Sequence, residues 1–335
     1  MNDQHPQLAA SSRVAFAAFL HDLGKFAERA APADIDRDRL DAHITQYCPF
    51  REGRYHSHRH AAWTALMFER IEAHAPDLVR GDMAPFASRS GGDDITDSLV
   101  NAAAMHHKPA SFLQWVIATA DRVASGFERE EFERYNAGED KTDTGRNHYQ
   151  ARQLTLFEQI RLGTAARPVR PEWRYPLQAL TPQSIFPVAA AGYEPAADAP
   201  AQAEYRALWD AFLASLDAIP RAHRHSWPLW LDHFDTAWLS FTHAIPSATA
   251  FGVKPDVSLY DHSKSTAALA TALWRWHAAA AATDAAAASA LQARSDWDEA
   301  KFLLIQGDFF GIQDFIFADG AQTNRSAARL LRGRS

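Results

Sequence analysis

RVAFAAFLHDLGKFAER, residues 13–29, sets Phe16, Phe19, Leu20, Leu23 and Phe26 three or four positions apart, the repeat that places apolar side chains on one face of a helix. The spacing predicts one helix through the whole stretch. His21 and Asp22 stand side by side on it and offer a nitrogen and a carboxylate, ligands of different hardness, to one or two divalent cations. A lone His-Asp pair equally well serves as a core hydrogen-bonding group beside a solvated acid. Further residues of the same chemistry therefore decide the matter.

They follow downstream. After a polar, Asp-rich stretch and a turn at Gly53, His60 opens a second apolar-periodic run, ended by Pro76. A Gly-, Ser- and Asp-rich loop leads to a third helix, expected to be capped by Asp93, Asp94 or Thr96 and to run to His106 and His107, where Lys108 and Pro109 stop it. Ser111 is expected to cap a fourth helix, and Asp121 falls in its middle among Ala118, Ala120, Val123 and Ala124. A carboxylate in so apolar a setting needs a partner or a metal, because burying an unpaired charge is costly; Arg122 is the alternative partner. The candidate ligand set is thus His21, Asp22, His60, His106, His107 and Asp121, with His106 and His107 about 100° apart in direction on a helix, so that one of them faces inward. Lys25, one turn after His21, is placed either to steady a phosphate or simply in solvent. A His/Asp site without cysteine suits Mn, Ni, Co, Fe or Zn, acidifies a water and polarises a phosphodiester oxygen, so phosphoester hydrolysis is the chemistry it favours.

Composition narrows the classes. The 335 residues are globular in make-up, 47% hydrophobic and 22% charged. One cysteine, Cys48, excludes an internal disulfide and a cysteine-based zinc site, which suits a reducing cytoplasm. The apolar stretch 14–20 is too short for a membrane span and runs into His21 and Asp22, so no membrane anchor is expected. A net charge of −7 lacks the overall basic footprint of a duplex-DNA-binding protein, and any nucleic-acid contact must be local.

Beyond residue 135 the pattern changes to polar turns over 136–148 and a proline-rich passage from Pro168 to Pro187. Helical periodicity returns over 203–245, and 264–294 reads as an alanine-rich helical pair. KFLLIQGD, residues 301–308, reads as a short strand, followed by a helix over 311–317 and the basic Arg329, Arg332 and Arg334. A strand and helix alone bury no sheet, so these last residues are expected to open a domain that continues further.

HDLGKF at 21–26, HAAWTALMF at 60–68, MHHKP at 105–109 and ADRVASGFER at 120–129 together resemble the N-terminal HD nuclease domain of the large subunit of type III (Csm-type, subtype III-A) CRISPR effector complexes. The resemblance continues, in order, through YPLQALTPQSIFP at 175–187, PDVSLYDHSKSTAALA at 255–270, and LLIQGDFFGIQDFIF with LRGRS at the end. It implies a mainly α fold: an HD domain over 1–132, a mostly helical intermediate α+β region over 133–295, and the opening strand and helix of a ferredoxin-like palm domain from 296, truncated at 335. It also implies metal-dependent hydrolysis of single-stranded DNA, exo- or endonucleolytic. His21, Asp22 and Lys25 would be catalytic, with the other effector subunits, the guide RNA and single-stranded DNA as partners. The family's ATP-dependent synthesis of cyclic oligoadenylate belongs to a second palm not expected in this chain. Hydrolysis of nucleotides or cyclic dinucleotides, and a purely scaffolding role, remain as alternatives.

Four other features are read conservatively. SGGDDITDSLV at 90–100 spells the family's palm tetrad but runs from a loop into a helix, so Asp93 and Asp94 are expected to be capping acids. Asp308 is expected to be structural, and His56 and His58 to be loop-exposed. His262 is expected to be a packing or interface residue outside the HD domain.

Overall fold

The computed structural model describes residues 6–51, 53–74, 82–88, 95–135, 149–160, 171–191, 193–249 and 255–307. Its helices are α1 (Pro6–Phe19), α2 (Leu23–Ala30), α3 (Arg37–Tyr47), α4 (His60–His74), α5 (Leu99–Ala104), α6 (Phe112–Tyr135), α7 (Asp198–Asp217), α8 (Trp227–Thr242), α9 (Leu259–Ala279) and α10 (Ala285–Ala293). Among the described residues, strand is confined to two antiparallel ladders of two residues per strand. In one, β1 (Phe50–Arg51) pairs with β2 (Tyr55–His56); in the other, β3 (Trp173–Arg174) pairs with β4 (Val188–Ala189). The fold is mainly α, as the periodicity requires.

The stretch expected to be one helix is two. α1 stops at Phe19, and α2 begins at Leu23 after a turn in which Asp22 takes φ −103° and ψ 15°. Apolar spacing persists across the turn, since Phe16, Phe19, Leu20, Leu23 and Phe26 are all buried, so periodicity alone conceals the break. What holds it is Thr64 of α4, whose hydroxyl donates to the His21 carbonyl (2.9 Å) and accepts from the Gly24 amide (2.9 Å). Gly24 permits that approach: a Cβ there would lie 1.8 Å from the His60 carbonyl oxygen.

The third expected helix is also shorter than the sequence suggests. Ser98, rather than Thr96, caps α5 by accepting from the Asn101 amide, and α5 ends at Ala104, leaving His106 and His107 in the following turn. Asp93 and Asp94 lie outside the described residues. At the start of α6 it is Gln114 that reaches back to accept from the Ala110 and Ser111 amides, while the Ser111 hydroxyl turns to Asp97. α4 and the α9–α10 pair form where expected.

The core is one aromatic-rich assembly. α1 packs against α9, α5 and α8, α2 against α4 and α7, and α6 against α9 and α10. Trp230, Phe234 and Trp238, one turn apart on α8, stack in series, and Phe16 stands edge-on to Trp230 and Phe234 at 4.8 and 5.4 Å. Phe26 meets Trp209 of α7 at 5.0 Å. By contact, residues 1–301 form one compact unit and 302–335 another. The first therefore spans the region expected over 1–132 and the helices expected to follow it, α7 to α10.

The strand expected in KFLLIQGD is not formed: residues 301–307 carry no regular structure, and Leu303, Leu304 and Ile305 are exposed. A strand exists only through ladder partners, and among the described residues these have none. Asp308, the helix expected over 311–317 and the three arginines near the end lie outside the described residues.

Candidate metal centre

Side chains from five parts of the fold meet where α1 and α2 part. His21 and Asp22 come from the break itself, His60 from the first residue of α4, His106 and His107 from the turn after α5, Asp121 from the middle of α6, and His262 from the first turn of α9. His21, Asp22, His106, Asp121 and His262 are buried, and His60 and His107 partly so.

The Nε2 atoms of His21 and His262 face each other at 3.2 Å. Asp22 Oδ2 lies 3.3 and 3.4 Å from these two nitrogens, and Asp121 Oδ1 lies 3.5 and 3.2 Å from them. The other oxygen of Asp22, Oδ1, looks the opposite way, 3.3 Å from His60 Nε2 and 3.8 Å from His106 Nε2. His60 Nε2 is in turn 2.9 Å from His107 Nε2. Among the described residues, three overlapping trios have donor atoms within 4.8 Å of one another: His21, Asp22 and His262; His21, His106 and Asp121; and His60, His106 and His107. All six sequence candidates are thus brought together, and Asp22 stands between two donor groups.

Orientation is set from behind. Nδ1 of His21 lies 2.7 Å from the Ala18 carbonyl, and Nδ1 of His106 lies 2.7 Å from the Ala103 carbonyl. A ring that donates through Nδ1 turns Nε2 toward the cluster as a lone pair, the arrangement that prepares imidazole for a metal. His106, rather than His107, is the residue directed at the buried carboxylates; His107 faces His60 and lies against the exposed His58, ring centres 3.9 Å apart.

Burial opposes charge on His21, yet the carboxylates of Asp22 and Asp121 outweigh it and push its pKa up to about 9. Burial also works against ionisation of Asp22, but Lys25 and His21 hold its carboxyl well below the usual range. Asp121 is held low in the same way, against burial, by hydrogen bonds from His21 and His262. Burial and the charge on His21 lower His106 to about 4, and burial lowers His60 and His107 well below the ordinary histidine value. Without a cation the cluster therefore holds two carboxylates, a protonated His21 and three neutral imidazoles, His60, His106 and His107, at neutral pH. His106 Nε2 is buried with no hydrogen-bond partner, an orphan of the kind a bound cation satisfies. A donor set of imidazoles and carboxylates without thiolate fits a divalent transition cation.

Lys25 meets Asp22 Oδ2 at 2.6 Å and is only partly covered. Arg122, offered by the sequence as a partner for Asp121, instead lies over the Trp115 ring at 5.1 Å. His262 is the residue that sequence reasoning misses: expected to pack outside the HD domain, it reaches both carboxylates. A signal existed. His262 shares a helix face with the buried Leu259, Thr266, Ala270 and Leu273, so its imidazole occupies a core position.

Part of the chain is similar to Cas10/Csm1. It is 35% identical over 112 residues to the CRISPR system single-strand-specific deoxyribonuclease Cas10/Csm1 (subtype III-A) of Methanocaldococcus jannaschii, covering 28% of this chain and 14% of that protein. The protein of the same description from Mycobacterium tuberculosis is 38% identical over 99 residues, covering 30% of this chain and 12% of the relative. The chain thus matches only a small part of the length of these relatives. No family model matches. Among solved structures, the crystal structure of a Csm1–Csm4 cassette in complex with cA4 aligns with 79% of this chain and 28% of the other, at 18% identity and a TM-score of 0.40. Among the described residues, no helix is long and apolar enough to cross a membrane.

Proposed function

We propose that this chain is part of a type III CRISPR effector large subunit and that its metal centre hydrolyses phosphodiester bonds in single-stranded DNA. The observation that carries the reading is the convergence of His21, Asp22, His106, Asp121 and His262, drawn from separate helices, with donor atoms 3.2–3.8 Å apart. The partial similarity to two single-strand-specific deoxyribonucleases supports the substrate. Guide RNA and the other effector subunits would be its partners in the cytoplasm.

A cation of the Mn, Ni or Co type bound here would supply Lewis-acid polarisation of a phosphodiester oxygen and a water of lowered pKa. His21, Asp22, Asp121 and His262 would hold it. His60, His106 and His107 would hold a second, with Asp22 shared between them. Asp22 keeps its charge through Lys25, whose ammonium is partly open to solvent and can exchange the carboxylate for a non-bridging phosphate oxygen. His21 and His106 are kept from rotating by their carbonyl contacts, so the donor set is preorganised.

Purified protein with Mn or Ni is expected to cleave a single-stranded oligonucleotide and to leave mononucleotides and cyclic dinucleotides intact. His21→Ala and Asp22→Ala are expected to reduce cleavage to the rate without enzyme while retaining the helical circular-dichroism spectrum. Cleavage that survives in folded His21→Ala protein disproves the site.

A further inference from the structure

The β1–β2 hairpin leads straight into the metal centre. β2 ends at His56, and only Ser57, His58 and Arg59 separate it from His60, the first residue of α4 and a member of the cluster. Gly53, at φ +64°, makes the turn at its tip, and the register sets Phe50 opposite His56 and Arg51 opposite Tyr55. Each face therefore carries one aromatic ring beside a cationic or imidazole group. Both rings are exposed, Phe50 by 58% and Tyr55 by 54%, and so are open to a stacking partner.

The surroundings are basic although the chain is acidic overall. PFREGRYHSHRH, residues 49–60, holds Arg51, Arg54 and Arg59 against the single acid Glu52, in a protein of net charge −7. Arg51 Nε lies 3.4 Å from the Ser57 hydroxyl, which is 2.9 Å from His58 Nδ1, and His58 lies against His107 of the cluster. Lys108, exposed and next in sequence to His107, adds a further cation. A run of arginines interleaved with exposed rings is the surface that grips a single strand: cations track the phosphates, and bases, unpaired in a single strand, stack on the rings. Duplex DNA keeps its bases stacked on one another and has nothing to offer those rings.

We infer that the hairpin is a binding arm for single-stranded nucleic acid, with Phe50 and Tyr55 stacking bases and Arg51, Arg54 and Arg59 holding the backbone that leads to the metal centre. This rests on the proposed hydrolysis for its substrate class, and the test separates the two. In EDTA, so that nothing is cut, a fluorescein-labelled oligothymidylate is titrated with the full chain and followed by anisotropy. Phe50→Ala and Tyr55→Ala are each expected to weaken binding on the order of tenfold, and Arg51→Ala and Arg54→Ala to reduce its salt dependence. The Phe50→Ala/Tyr55→Ala variant is expected to hydrolyse bis(4-nitrophenyl) phosphate with Mn at the rate of the unaltered protein, because that diester needs no stacking platform. His21→Ala is expected to show the reverse pattern, binding the oligonucleotide and leaving the small diester intact. Equal oligothymidylate affinity in the double-ring variant and the unaltered protein overturns the inference and leaves the rings to a protein partner. Ring-dependent binding without any diester hydrolysis keeps the arm and removes the hydrolase.

Discussion

His262 contributes an imidazole from 141 residues further along the chain to a cluster otherwise built from the first 121 residues, and it touches His21, Asp22 and Asp121 together. Replacing it removes a donor without disturbing the helix break. His262→Ala is expected to weaken Mn or Ni binding by at least about tenfold, since loss of a contact behind a ligand alone costs about 10–100-fold, as measured by competition with a chromogenic chelator. Unchanged affinity excludes it from the ligand set. The proton on His21 sets a second expectation. A cation that engages this nitrogen must displace the proton, so affinity should rise with pH by up to about tenfold per unit and level off above the His21 value of about 9. In chelator the sign for stability is opposite. The folded pKa of His21 is raised from 6.5 to about 9, so its contribution is complete below pH 6.5 and is lost as pH climbs through 9. Asp22 and Asp121, both held low, remain ionised throughout that window. Thermal midpoints in EDTA should therefore be lower at pH 9.5 than at pH 7.

At the scale of elements, the break between α1 and α2 determines where the ligands point, and it depends on Thr64 of α4 together with Gly24. Thr64→Val leaves the His21 carbonyl and the Gly24 amide without their shared partner, an expected cost of about 2 kcal/mol. Gly24→Ala drives a methyl into the α4 backbone and should cost at least ~2 kcal/mol. Both are read by denaturant unfolding, and a loss below ~0.5 kcal/mol in both would mean the break is held some other way. This is also the point at which sequence reading fails. Spacing of Phe16, Phe19, Leu20, Leu23 and Phe26 identifies a buried helical face correctly but is blind to a turn that keeps the same residues inward. The likewise legible helix over 60–74 carries in Gly24's partner, Thr64, no sign of its bridging role, because its hydrogen bonds go to a backbone 40 residues away. The apolar run 301–307 shows the complementary case: its β propensity forms no strand because it has no ladder partner among the described residues.

For the whole molecule, α9 closes the site by packing along both α1 and α6, so the helices beyond residue 132 complete the same core. A fragment ending at residue 132 lacks His262 and the α9 face. It is expected to bind a dye for exposed apolar surface and to hold Mn weakly, whereas residues 1–301, which form one unit, should do neither. Strong Mn binding by the short fragment would contradict this. Six ligand candidates are legible because each is a His or Asp in or beside an apolar periodic run of the first four helices expected from the sequence; His262 also sits on an apolar helix face, but local spacing does not show that this face packs against the other six.

Phe16 lies five positions before His21, edge-on to the indoles of Trp227 and Trp230 at 5.6 and 4.8 Å. Trp209, Trp230 and Trp238 are fully enclosed nearby. The protein thus carries its own optical gauge. Indoles shielded from water emit toward the blue, so the emission maximum reports whether the aromatic interior is assembled, independently of any cleavage assay. An inactive His21 variant that keeps the blue maximum has lost its chemistry alone, while one that shifts toward the red has lost the scaffold with it.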